Sequence, residues 1–188
     1  MEDMLNTIIP VFRNYGVKRI TMDDISHHLG ISKKTLYVHY KSKGDLVEQS
    51  VDSIFKLHHS VFDQILKRDI LPLKKIILMY RYGIRQLSAN SRTFYLELKK
   101  YYPKVYKKYE VERDYITFTI ILDLLKEAQK LGDIKPEVDL KLFCLLNIYK
   151  IDVLLLNDAI FSEYTITQIV DHIVVYNLNG ILKDKSLL

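Results

Sequence analysis

The spacing of apolar residues constrains this chain more than any other feature. It stays close to 3.6 residues almost from end to end, and no stretch shows sustained strand-like alternation bounded by hairpin turns. That pattern predicts an all-α fold. Helices are expected over about Asp3 to Tyr15, Met22 to Leu29, Lys33 to His39, Asp45 to Lys67, Pro72 to Leu87, Arg92 to Tyr101, Lys104 to Leu131, Pro136 to Asn157 and Thr165 to Leu182. The punctuation agrees: Gly16 stands where a left-handed residue can close the first helix, and Asn90-Ser91, Pro103 and Gly132-Asp133 fall in later breaks. Pro10, inside the first helix, removes a backbone donor and is expected to kink it.

The second and third helices are short and are joined by Gly30-Ile31-Ser32. Thr21 reads as an N-cap with Asp23 and Asp24 in the first turn, where the helix dipole favours negative charge, and Ser32 reads as the cap of the next helix. Ile25, Leu29, Ile31 and Leu36 can close one apolar core and hold the pair at a helix-turn-helix angle. Lys33, Lys34, Thr35, Tyr37 and His39 are then left facing outward. From Ile25 to Gly44 there is no carboxylate, while Lys33, Lys34, Lys41 and Lys43 are present. That charge distribution says more than the net charge of +5.

In such a motif the second helix enters the major groove and the first crosses the phosphate backbone. Lys33 and Lys34 can reach guanine acceptors or phosphate, and Thr35 can offer a hydroxyl or a methyl to a base edge. Tyr37, His39, Tyr40, Lys43 and Thr21 are placed for backbone contacts, which position the helix without reading sequence. A second basic stretch, Lys67 to Arg113, carries 13 Lys and Arg against 4 Asp and Glu. It reads either as solvated helix faces or as a means of attracting an anionic ligand or the DNA flanking an operator.

Thr21 to Tyr40, with the following Lys41-Ser42-Lys43-Gly44-Asp45-Leu46, resembles the tetracycline-repressor-like (TetR) family of bacterial regulators. The resemblance rests on Phe12, Gly16, Thr21, Asp24-Ile25, Leu29-Gly30-Ile31-Ser32, Thr35-Leu36-Tyr37, Tyr40, Lys43 and Leu46, and covers about residues 4 to 50. Beyond it the likeness is architectural: Gly132 to Asp139 is similar to the turn that often precedes the family's penultimate helix. Pro10 and the strongly basic Lys33-Lys34 depart from the common pattern. The resemblance implies a three-helix helix-turn-helix head that binds double-stranded operator DNA as a homodimer. It also implies a C-terminal helical ligand-binding and dimerisation body, whose small organic effector usually releases the DNA.

No Pro, Gly or Ser-rich linker appears, so the boundary is placed near Ser50, giving a head of residues 1–50 and a body of residues 51–188. The helix beginning near Asp45 runs across it and is the expected transmitter. In the body, Tyr80, Phe94, Tyr95, Phe118 and Phe143 can wall a pocket for a partly apolar ligand, and Arg81 and Arg85 could hold a negative group on it. The last two helices are the most apolar and are expected to build a four-helix interface between two copies. The residues assigned to it are Leu155, Ile166, Val170, Ile173, Val174, Leu178 and Ile181.

Other classes are disfavoured. There is no Gly-rich phosphate loop, nucleophile elbow or HExxH motif, so no enzyme is expected. The His27 and His28 spacing to Asp23 and Asp24, and that of His59 to Asp63, fits helix-surface pairs, so no metal and no cofactor is expected. A helical interaction module that had lost DNA binding would have signalled itself by a polar or acidic change at Lys33, Lys34 or Lys43, and none is present. The single cysteine, Cys144, sits in an apolar run and reads as a core residue. An acidic Met1-Glu2-Asp3 start, the absence of a long apolar run and the lone cysteine predict a cytoplasmic protein with no membrane partner.

Overall fold

A computed structural model describes residues 2–89, 91–157 and 159–184. The helices are α1 Glu2–Tyr15, α2 Met22–Leu29, α3 Lys33–His39, α4 Lys43–Leu66, α5 Pro72–Ser88, α6 Arg92–Tyr101, α7 Pro103–Tyr115, α8 Leu122–Leu131, α9 Leu140–Leu156, α10 Ile160–Glu163, α11 Ile166–Val170 and α12 Tyr176–Ile181. Among the described residues the only β-type pairing is an isolated antiparallel bridge between Ile134 and Leu182. It is held by Lys135 N–H donating to Ile181 O and Lys183 N–H donating to Asp133 O, each at 3.0 Å. No described helix is long and apolar enough to cross a membrane.

The chain forms two compact units. The first comprises Met1–Ser60 and Ala89–Glu110, the second Val61–Ser88 and Val111–Leu188. Packing therefore does not divide the chain at residue 50.

In the first unit Leu5, Ile8 and Phe12 repeat at helical spacing and are buried, as are Leu46, Val47, Val51 and Phe55 of α4 and Phe94, Tyr95 and Leu98 of α6. The α1 helix runs unbroken through Pro10. Gly16 closes it at φ +80 with its N–H on Phe12 O. Ser91 N–H donates to Arg13 O at 2.8 Å, which ties the start of α6 to the end of α1.

The second unit has one core, to which α5 contributes Leu73, Ile76, Met79 and Ile84, α8 Leu124, Leu125 and Ala128, α9 Leu140, Cys144 and Leu154, and the last helices Ile169, Val170, Val174 and Leu178. Three expected helices differ in detail. The one expected from Lys104 to Leu131 contains a π-helical segment, Ile116–Ile121, and the last contains another, Asp171–Val175. Each re-phases the faces on either side of it. At the second, Asn177 Nδ2 donates to Ile173 O at 2.6 Å and His172 O at 3.1 Å, occupying carbonyls at the loosened turn. The helix expected from Pro136 begins instead at Leu140, because Asp139 caps it by accepting from Leu142 N–H at 2.9 Å. Residues before it form a loop pinned by Gln129 Nε2, which donates to Lys135 O and Val138 O.

Candidate DNA-binding interface

The start of α2 is a complete capping box. Asp24 N–H donates to Thr21 Oγ1 at 3.1 Å and Thr21 N–H donates to Asp24 Oδ2 at 2.8 Å. Hydrogen bonds from the Thr21 hydroxyl and backbone hold the Asp24 carboxyl below its ordinary range. The turn is made by Gly30 at φ +66, with its N–H on His27 O and the N–H of Ile31 on Ser26 O. Ser32 then caps α3 by accepting from Thr35 N–H at 3.0 Å, and the two hydroxyls share a 2.8 Å hydrogen bond. Local chemistry thus fixes both ends of the turn and the first turn of the recognition helix.

On α3 only Leu36 is buried; Lys33, Lys34, Thr35 and Tyr37 are exposed and His39 is half-buried. Lys34 and Val38 stand one turn apart on the side opposite Leu36. Val38, at 75% exposure, was not among the residues singled out from sequence. Its position two residues from the buried Leu36 was the available signal, and an exposed methyl pair on such a crest suits a thymine methyl. Lys33 lies to the side, its Nζ 2.9 Å from Asp23 Oδ1. Both partners are exposed, so this pair is worth little and yields readily to a phosphate.

Two expected contacts require correction or refinement. Tyr40 is fully buried and its hydroxyl has no hydrogen-bond partner among the described residues, so its ring belongs to the core and does not reach a phosphate. Its C-terminal location on a seven-residue helix turns it beneath the motif. Lys43 is half-buried, and its Nζ donates to Lys18 O at 2.9 Å, fastening the loop before α2 to the start of α4. Burial draws its amine below the ordinary range, although Glu97 and Asp24 oppose that shift.

The residues expected to wall a pocket are not gathered in one unit. Phe94 and Tyr95 are buried in the first, where Tyr95 lies 5.5 Å from Tyr109 between ring centroids. Tyr80, Phe118 and Phe143 pack on the second unit's core, and burial raises the Tyr80 phenol well above its ordinary range. Arg81 and Arg85 are exposed, on the solvent side of α5. Among the half-buried cations of this unit is Arg113, which sequence reasoning passed over. Its Nη1 donates to Asp152 Oδ1 at 2.6 Å, and its Nε and Nη2 donate to Asp114 Oδ1.

The expected interface set is also corrected. Val170, Val174, Leu178 and Leu155 are buried within the chain's own fold, and Ile166, Ile173 and Ile181 are partly buried against the same core. A run of exposed apolar residues lies on α9: Leu142, Leu145, Leu146, Tyr149 and Val153. Their spacing of three and four places all five on one face, opposite Leu140, Cys144, Ile148 and Leu154.

A capped pair of short helices with a left-handed glycine turn and a basic, carboxylate-free second helix defines a helix-turn-helix DNA-binding protein. Residues 5–49 match the family model for bacterial regulatory proteins of the tetR family. Over 174 residues the chain is 22% identical to an uncharacterised HTH-type transcriptional regulator, YvaF, of Bacillus subtilis (strain 168), covering 88% of this chain and 87% of that one. Over 144 residues it is 24% identical to the HTH-type transcriptional repressor KstR2 of Mycolicibacterium smegmatis, covering 75% and 70%. Its fold is similar to that of the regulator FadR from Bacillus subtilis, solved in complex with stearoyl-CoA, with a TM-score of 0.75 at 16% identity over 96% of this chain and 98% of that one. Residues 5–49 thus carry a DNA-binding domain of the tetR type, and the rest of the chain is similar in fold to regulators that share it.

Proposed function

We propose that this regulator is a repressor that works in the cytoplasm, binding a palindromic operator as a homodimer and releasing it when a small organic effector occupies the second unit. The observation that carries the reading is α3, where Lys34, Thr35, Tyr37 and Val38 project from a helix anchored by Leu36 alone. In this reading Lys33 and Lys34 contact guanine or phosphate, Thr35 and Val38 read base edges, and Tyr37, His39, Lys43 and the start of α2 at Thr21 hold the backbone. A repressor reading is supported by KstR2, which is named as one.

Dimerisation is assigned to the α9 stripe. Its five side chains expose on the order of 500 Å² of apolar surface per copy, the upper end of what a monomer leaves in one patch. Two such faces approach the area of a small stable interface.

The effector is assigned to a mostly apolar class, with the acyl thioester of the FadR structure as the first compound to try. Inside the second unit Tyr80, Phe118 and Phe143 would supply aromatic contact.

Selection of bound fragments from random and genomic DNA with the purified protein tests the reading. Recovery of an inverted repeat, lost when Lys33 and Lys34 are both changed to Ala, is the expected result. Fragments without a shared sequence would reject it.

A further inference from the structure

We propose that the end of α6 and the start of α7 form a second, sequence-independent DNA contact that grips phosphates flanking the operator half-site. This rests on the operator-binding reading above. Residues Ala89–Glu110 pack in the same compact unit as the helix-turn-helix, so their charge is carried with the recognition helix. Lys18, in the loop leading to the Thr21 cap, has its Nζ 4.8 Å from the Tyr101 ring centroid, and Lys100 Nζ is 5.4 Å from the same ring. Lys99 Nζ stands 5.6 Å from the Tyr106 ring. Lys18, Lys99, Lys100, Tyr101 and Lys104 are all exposed.

Neighbouring charges set these four lysines apart from the next two of α7. Lys107 is paired with Glu110, and Lys108 with Glu48 and Asp52, which makes that side of α7 a neutral surface. Glu97 accepts the Lys18 backbone N–H at 2.7 Å. Among the described residues Lys18, Lys99, Lys100 and Lys104 show no ion pair, and the Tyr101 phenol is held below its ordinary range by Lys18 first and then Lys100. The patch thus sets four lysines, interleaved with aromatic rings, against the single carboxylate of Glu97.

Continuity with the DNA-binding face selects the occupant. Lys43 Nζ, at the start of α4, bonds to Lys18 O, and Tyr102 Cε1 lies 3.7 Å from where a Cβ on Gly44 would stand. The patch therefore adjoins the N-terminal ends of both α2 and α4, the ends that face phosphate in this motif. Exposed lysines side by side suit a polyanion running past, whereas a small anion is held by enclosure.

The test is a triple variant, K99Q/K100Q/K104Q, compared with the parent protein by fluorescence anisotropy between 50 and 200 mM salt. Three duplexes serve as probes: the selected operator with roughly eight flanking base pairs on each side, the same operator trimmed flush, and a random-sequence duplex of similar length. For every phosphate that the variant no longer neutralises, the slope of log affinity against log salt should become shallower by about 0.9. Up to three phosphates per subunit should be freed, with affinity falling on the order of tenfold or more at 100 mM on the flanked and random duplexes and only slightly on the trimmed one. An unchanged slope on the flanked operator overturns the proposal, as does an equal fall on trimmed and flanked duplexes. Unchanged duplex binding with weakened binding of inorganic polyphosphate would overturn it in favour of another polyanion. A parent protein with no preferred sequence, whose slope on the random duplex still falls in the variant, would reject the operator reading and leave this phosphate contact standing.

Discussion

Replacing Gly16 with Ala should cost more stability than the same change at Gly30, although both glycines have positive φ. At Gly30, φ is +66 and a Cβ would meet nothing within 4 Å, so the cost is the left-handed backbone alone, about 1 kcal/mol. At Gly16, φ is +80 and a Cβ would fall 2.9 Å from both Glu97 Cδ and Thr93 Cγ2, and nearer still to Glu97 Oε2. Glu97 cannot swing away freely, since its carboxylate accepts the Lys18 N–H. Adding about 1 kcal/mol for that hydrogen bond and about 1 for local overpacking gives roughly 3 kcal/mol in total. Urea denaturation of the two variants measures the difference directly, and the melting temperature should fall by roughly 6–10 °C for Gly16→Ala against about 2–4 °C for Gly30→Ala. In a Glu97→Ala background the excess should shrink, because the obstructing carboxylate is gone. Equal losses at the two glycines, or an excess undiminished without Glu97, would refute the reasoning.

Tyr40→Phe should leave operator affinity unchanged and stability equal or slightly higher, since it removes a buried hydroxyl without a partner among the described residues; a tenfold loss of affinity would restore Tyr40 as a phosphate contact. Leu146→Glu or Tyr149→Glu on the α9 stripe should give a folded monomer in sedimentation, with weakened operator binding. Val174→Glu should unfold the second unit, because Val174 is 3% exposed. His58 is held down to about 4 by burial, with Arg13 and His59 adding to the effect. Its folded value lies below its unfolded one, so the unfolded chain binds the extra proton and stability is lost as pH falls from about 6.5 towards 4. The shift corresponds to a loss on the order of 3 kcal/mol. His58→Gln should flatten the pH 4–6.5 segment of the stability curve, and an unaltered segment would remove His58 as its source.

The head was legible from sequence because each of its features is local. The Thr21 cap, Gly30 turn, Ser32 cap and buried Ile25 and Leu36 are all set by residues within four or five positions of one another, and the structure realises each of them. Tyr40 failed because its burial depends on what packs beneath α3. Four of the expected interface residues, Leu155, Val170, Val174 and Leu178, are buried in the chain's own core for a different reason. Periodicity marks a helix as apolar but not which side meets its own core, and α9 is apolar on two opposite faces. The final helix carries a single apolar stripe that this chain consumes itself, and its π-helical segment shifts the stripe's phase in a way no 3.6-residue template follows. Phe94 and Tyr95 were assigned to the body by a boundary drawn at residue 50. The return of Ala89–Glu110 to the first unit is a long-range feature that local pattern does not carry.

That return also bears on how an effector could act. The chain passes between the units three times, after Ser60, after Ser88 and after Glu110, and the first and last of these passages lie inside continuous helices, α4 and α7. A single connecting helix could bend or fray without moving the recognition helix. With two, a displacement starting in the second unit would be delivered at both Lys43 and the α6–α7 segment. An effector that favours the released state about a hundredfold over the DNA-bound one, near 2.7 kcal/mol, would suffice for a strong response if the free protein is already divided between the two. A proline placed in the middle of α7, at exposed Val111, would break one connection and leave α4 intact. Operator binding should then persist with its release by effector reduced, whereas full release through α4 alone would show that α7 transmits nothing.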